Sequence, residues 1–159
     1  MALTENKKVI MEEGVFHEFF AEKEANTGVD YKLYNGSLVN YGTTGGIKKS
    51  DDANDTEIFC GMVVEGRAPI TVVKSTGGTA ELSTTEKARV RTSGYVTVKT
   101  AVGPLNTAKC SAATNGALVY VTDDESVCTI GTSVATLVKV GRQIKYISDN
   151  EVIIALNEY

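Results

Sequence analysis

Three observations predict a mainly all-β protein, a small β-barrel or β-sandwich domain with an N-terminal arm. Gly recurs at 15 positions while Pro is rare and Trp absent, and β-branched residues are divided by Gly, Asn, Asp and Ser, a strand-and-turn composition. Apolar residues alternate with polar ones at period two, most clearly over 95–100, the mark of half-buried strands. Short strands separated by turn signals then recur at the spacing of a barrel or sandwich. With 159 residues, 42% of them hydrophobic, the chain can bury one core of ordinary domain size without disulfides or metals.

Residues 1–30 differ from the rest and are read as an arm preceding a β domain at 31–159. They carry the only histidine, His17, and three of the four phenylalanines, Phe16, Phe19 and Phe20. That spacing, followed by Glu22-Lys23-Glu24, fits a short amphipathic helix over 16–25 stopped by Asn26-Thr27-Gly28. Gly14 weakens the pattern, and an extended arm fits as well. Asn35-Gly36 predicts a hairpin between 32–34 and 37–40. The polar, Gly-rich stretch 41–55 reads as a long loop, of the kind that is functional or disordered.

Residues 58–65 read as a buried strand, with 70–74 as its continuation past Gly66 and Pro69. A polar turn at 75–80 follows, then strands 89–92 and 95–100 joined near Ser93-Gly94. In the second, Val96 and Val98 face one way and Tyr95, Thr97 and Lys99 the other. After Asn115-Gly116 the alternation returns over 118–122 and ends at Asp123-Asp124-Glu125. Strands at 127–130, 137–140, 143–147 and 152–156 complete the set.

A search for chemistry excludes more than it finds. Residues 1–30 set three lysines against seven carboxylates and so hold the whole net charge of −4, while the remainder balances. With no basic block there is no electrostatic case for a nucleic-acid partner, and no apolar run is long enough for a membrane helix. Cys60, Cys110 and Cys128 are an odd set without CxxC, which argues against a disulfide framework or a zinc site. The charged N-terminus lacks the apolar core of a signal peptide, so synthesis in a reducing cytoplasm is expected.

His17, between Phe16 and Glu18, has no partners for a triad. Gly42-Thr43-Thr44-Gly45-Gly46-Ile47-Lys48-Lys49-Ser50 has Ile47 where a phosphate loop needs Gly-Lys adjacent, and Lys74-Ser75-Thr76-Gly77-Gly78 has the elements out of order. Asp51, Asp52 and Asp55, like Asp123-Asp124-Glu125, are too few for a dedicated Ca²⁺ site. The expectation is a protein without catalytic residues, metal or cofactor.

The strand motifs carry a resemblance. Phe59-Cys60-Gly61-Met62-Val63-Val64, then Val96-Thr97-Val98 after Gly94, then Gly116-Ala117-Leu118-Val119-Tyr120-Val121, and a final Val152-Ile153-Ile154-Ala155-Leu156 occur in one order. In that order they resemble the capsid cement, or head decoration, proteins of tailed bacteriophages, over roughly residues 31–159. The resemblance implies a structural virion protein on the outer capsid surface. Its implied partners are the major capsid protein and itself, as a homotrimer, with neighbouring capsid subunits clamped together. It transfers no site residues.

The longer acidic N-terminal segment departs from the simplest members. Its clustered aromatics make Phe16, Phe19 and Phe20, with Glu22 and Glu24, the expected protein-contact residues. On that reading, deletion of residues 1–25 leaves the β domain folded. The alternative is a tail or head-fibre component, or another β-rich module, binding a host-surface ligand through loops 41–55 and 75–85.

Overall fold

The computed structural model describes residues 14–50, 57–64, 69–102, 108–129 and 137–159. Among these the chain forms β1 (Phe16–Lys23), β2 (Tyr31–Leu33), β3 (Leu38–Tyr41), β4 (Ile47–Lys49), β5 (Phe59–Val63) and β6 (Ile70–Val72). There follow β7 (Glu81–Arg91), β8 (Gly94–Thr100), β9 (Leu118–Val121), β10 (Ser126–Thr129), β11 (Lys139–Ser148) and β12 (Glu151–Leu156). A single 3₁₀ turn at Ala112–Thr114 is the helical content of the described residues. The all-β class expected from composition and alternation is the class observed.

The strands close two five-stranded barrels, one ordered β1-β4-β3-β5-β7 and the other β8-β10-β9-β11-β12, with β2 and β6 forming a separate two-stranded sheet. The barrels repeat one topology. Counting strands within each, both run first-third-second-fourth-fifth, with a parallel first–third pair and antiparallel neighbours elsewhere. Even the registers coincide: Val39 faces Lys49 and Gly61 where Val119 faces Thr129 and Gly141. Met62 faces Arg91 where Arg142 faces Ala155.

The repeat has a sequence trace. Asn35-Gly36-Ser37-Leu38-Val39 recurs eighty residues later as Asn115-Gly116-Ala117-Leu118-Val119. Gly36 and Gly116 both take positive φ, at 92° and 87°, a conformation that costs little without a Cβ. Each then donates its N–H to the same place in the fourth strand, Gly36 to Val63 O and Gly116 to Gln143 O, at 2.8 and 2.7 Å. A second glycine pair lies where the fourth strand crosses the fifth. A Cβ on Gly61 would run into the carbonyl of Arg91, and one on Gly141 into that of Ala155.

Two cores result. One fills the second barrel with Val96, Val98, Val119, Val121, Val127, Val140, Val152, Ile154 and Leu156, and reaches into the first barrel for Leu38, Phe59 and Met62. The other joins Ala21, Val39, Ile47, Cys60, Val63 and Val90 to Tyr31, Leu33 and Val72 of the small sheet. Each such aliphatic side chain contributes about 1.5–3 kcal/mol when buried. Polar links fasten the barrels together. Asn157 Nδ2 donates to Cys60 O and Thr92 O, Leu38 N donates to Asp124 O, and Lys49 pairs with buried Asp124 at 3.3 Å.

Several local expectations change. The Asn35-Gly36 turn forms, but its flanks do not pair: β2 goes to β6 and β3 to β4 and β5. Likewise Ser93-Gly94 does not make a hairpin of 89–92 with 95–100, because β7 closes the first barrel and β8 opens the second. The stretch read as a long loop contains β4, residues 70–74 hold a separate strand β6 rather than a continuation of β5, and 137–140 and 143–147 fuse into β11. Turn chemistry sets a local bend, while strand partners are chosen by non-local packing.

The greatest change concerns residues 16–23. Of the helix and the extended form, the chain takes the extended one and builds it into the first barrel as β1, antiparallel to β7 and bridged to β4 at Ala21–Ile47. Extension lets Phe19 and Ala21 pack on the core beside Ala88 and Val90, contacts that outweigh local helical preference.

Candidate contact surface

β1 divides the three phenylalanines between its faces. Alternation sends Phe19 inward, where its ring meets Tyr41 edge-on at 5.8 Å and packs against the first core. Phe16, Glu18 and Phe20 stand directly across the ladder from Arg91, Arg89 and Lys87 of β7; Arg89 and Lys87 are exposed there, while Arg91 is fully buried. Lys87 Nζ stands 4.5 Å from the centre of the Phe20 ring, and the Arg89 and Arg91 guanidinium groups stand 4.8 and 5.6 Å from that of Phe16. The contacts of exposed Lys87 and Arg89 are worth about 0.5–1 kcal/mol each. His17 and Glu18 are exposed, Phe16 and Phe20 half-buried. Val15, Tyr41 and Ile58 nearby are also exposed, the last at 66%.

Of the two carboxylates grouped with the aromatics by sequence, Glu22 is held inside the fold and Glu24 is half-buried. Glu22 is buried at 4% exposure, which takes it off the surface where it was expected. Its Oε2 accepts from Thr44 N at 2.6 Å and from Thr44 Oγ1 at 2.7 Å. The Gly42–Gly46 turn therefore closes around a carboxylate supplied by the chain itself, and a Cβ on Gly42 would collide with it. The loop that superficially matched a phosphate cradle has its anion built in. Tyr31 Oη donates to Glu22 O at 2.5 Å, and burial first, then the Glu22 charge, pushes that hydroxyl's pKa well up. Glu24 Oε2 accepts from Val29 N, and its carbonyl from Ser75 N.

The remaining candidates resolve as structure. Asp123 Oδ1 accepts from Glu125 N, Ser126 N and Ser126 Oγ, closing the β9–β10 turn, and Glu125 pairs with Lys99 at 3.1 Å. Asp51, Asp52 and Asp55 lie outside the described residues, as does Gly66. Among the described residues no three His, Cys, Asp or Glu side chains gather as a metal site. Cys60, Cys110 and Cys128 are free thiols and buried, and burial pushes the Cys60 thiol to about 11, so it stays protonated at neutral pH. A cleft of about 710 Å³ lies between the small sheet and the β9–β10 turn, lined among others by Glu24, Asp30, Tyr34, Lys49, Asp123 and Asp124. Its carboxylates are anchored, Asp30 Oδ1 by Lys74 N and Asp124 by Lys49.

Sequence reasoning missed Lys87 and Arg89. They sit some seventy residues from the phenylalanines, and only the β1–β7 register brings them together. It also missed the internal repeat, for which the recurring Asn-Gly-x-Leu-Val was an available signal. Comparison of the chain with protein-family models, with curated proteins and with solved structures returned no match.

Proposed function

We propose that the chain is a structural virion protein that binds the outer surface of a tailed-bacteriophage capsid and cements neighbouring subunits. Its partners on this reading are the major capsid protein and further copies of itself in a homotrimer. One observation carries it. The motifs that resemble head decoration proteins, far apart in the chain, supply a single core: Phe59 and Met62, Val96 and Val98, Val119 and Val121. A cement acts by mass action on the folded shell and needs rigidity and an adhesive face rather than a reactive group. The outer face of β1 and β7, with Phe16 and Phe20 beneath cationic heads, has the aromatic and arginine composition typical of interface anchors. The deciding experiment mixes the full-length protein with expanded, undecorated capsids of a phage that encodes it and images the particles. Ordered density at symmetric positions is expected; bare shells in the presence of excess folded protein would overturn the proposal.

The second reading, a tail or head-fibre module for a host-surface ligand, draws on the loops. The C-terminal end of β1 holds the Gly42–Gly46 turn through Glu22, and the Ser75–Gly77 turn through Glu24 O and Asn26 N. Both loops are thereby gathered at one end of the first barrel. Binding to host-cell envelopes without binding to capsids would favour it.

A further inference from the structure

In the first barrel, β3 and β4 set one asparagine against one lysine. Asn40 faces Lys48 directly in their antiparallel register, so both side chains leave the ladder on one face, with Cβ atoms about 5 Å apart. Asn40 is fully buried. Glu57, just before β5, joins the pair: it accepts from Asn40 Nδ2 at 2.7 Å through Oε2 and from Lys48 Nζ through Oε1. A carboxylate only accepts, which fixes the amide with its nitrogen toward Glu57. The amide oxygen, Oδ1, accepts from Ser50 Oγ at 2.6 Å, and Ser50 is itself buried. Ser50 N bonds to Leu38 O, so the pairing runs on and Ser50, two residues past Lys48, shares its face. The side chains of Lys48 and Glu57 are only 24% and 10% exposed, and Lys48 makes a further contact besides this one. One carboxylate thus holds an amine and an amide together, while a hydroxyl polarises the carbonyl of that amide.

The second barrel serves as an internal control. By register Asn40 and Lys48 correspond to Tyr120 and Cys128, which face each other in the same way, and Glu57 corresponds to Leu137. The same topology closes there without amide, amine or carboxylate at these positions. Barrel closure does not demand the set.

We propose that Asn40, Lys48, Glu57 and Ser50 form a self-modification site that joins Lys48 to Asn40 through an isopeptide bond. Glu57 takes a proton from the Lys48 ammonium, and the neutral amine attacks Asn40 Cγ. Negative charge developing on Oδ1 is stabilised by the Ser50 hydroxyl, an oxyanion donor in a site with little water. Glu57 passes its proton to Nδ2, the Cγ–Nδ2 bond breaks and ammonia leaves. Nζ sheds its remaining extra proton through the same carboxylate to the departing ammonia, so Glu57 ends as it began. One ammonium and one carboxamide become one secondary amide and one ammonium ion, and no co-reactant is consumed. The bond ties β3 to β4 across residues 41–47, around the Gly42–Gly46 turn. It constrains the unfolded chain as a disulfide does. This chemistry stands apart from the proposed capsid role, and its test needs no capsid.

The test is mass spectrometry of the purified full-length protein. The wild-type chain should lie about 17 Da below the mass of its sequence, one ammonia having left. Trypsin should release residues 33–49 as one peptide, uncut after Lys48 and without fragment ions from breaks between 40 and 48. A succinimide at Asn35-Gly36 has the same mass but opens in mild base, whereas the isopeptide bond survives it. Lys48→Arg keeps a cation beside Glu57, and Glu57→Gln removes the proton carrier. Both should show the full mass and wild-type-like NMR dispersion, and the wild-type peptide decides the matter even where a variant unfolds. A folded wild-type chain at full mass overturns the proposal. So does a mass loss that mild base reverses, or one that persists in Lys48→Arg or Glu57→Gln.

Discussion

The two barrels have the same strand order, register and crossing glycine, yet they secure the turn between their second and third strands differently. In the second barrel Asp123 caps its own turn, accepting from residues two and three positions ahead. In the first, the Gly42–Gly46 turn is held by Glu22, 22 residues upstream of Thr44 on another strand. The first barrel also carries additions that the second lacks: the β2–β6 sheet, and the phenylalanines under lysine and arginine on its outer face. Shared topology isolates what closing the barrel requires from what was placed on it. A valine-lined interior, an Asn-Gly turn and a close-approach glycine are required. An aromatic, cationic face and a buried Glu22 are additions.

This comparison can be broken most severely at β1. Removing residues 1–25 takes away one of the five strands of the first barrel, with Ala21 and Phe19 from its core. The expected result is collapse of NMR dispersion for residues 31–91 rather than the intact β domain expected from sequence; a well-dispersed spectrum would mean that β1 is dispensable. Next in size, Gly61→Ala and Gly141→Ala should each cost about 3 kcal/mol or more in urea unfolding, as overpacking against backbone does. Tolerance at one and not the other would break the equivalence of the two crossings.

The turn caps should separate by locality. Loss of a carboxylate that takes two partly buried hydrogen bonds gives about 2 kcal/mol for Glu22→Ala. Asp123→Ala, which removes a local cap, should cost about 1 kcal/mol, and the reverse order would sharpen the comparison against the present view. A pH titration probes a further difference, since Cys60 stands where the second barrel has Val140. The folded state keeps the Cys60 thiol protonated up to about 11, whereas the unfolded chain releases that proton near its ordinary value of 9.0. Stability therefore falls as pH rises through that window, and Cys60→Val should flatten this part of the fall. The smallest effect on stability belongs to the added face: Phe20→Ala and Lys87→Ala should each cost under about 1 kcal/mol by urea unfolding, and a larger loss would make the face structural after all.

Legibility in the sequence followed the range of the interaction. β8, β9 and β12 were readable because their alternation is a property of neighbours: Val96 and Val98 point inward simply by being two apart. β1 was not. Its three phenylalanines at helical spacing form a plausible helix until β7, some seventy residues away, offers Ala88 and Val90 to pack against. Of the expected contact residues, Phe16 and Phe20 lie on the outer face, Phe19 packs inward, and Glu22 and Glu24 are bound up in the fold. Nothing near position 22 in the chain says that a carboxylate there will close a turn at 44.

What the amino-acid order determined alone was the class of fold, the bends at Asn35-Gly36 and Asn115-Gly116, and most strands of the second barrel. All of these depend on residues a few positions apart. Tertiary structure decided which strands pair across each bend, that the barrels repeat, and that lysine and arginine come to rest over the phenylalanines. Strand pairing is a choice among distant segments, settled by the burial of whole faces at once, and no local pattern encodes it.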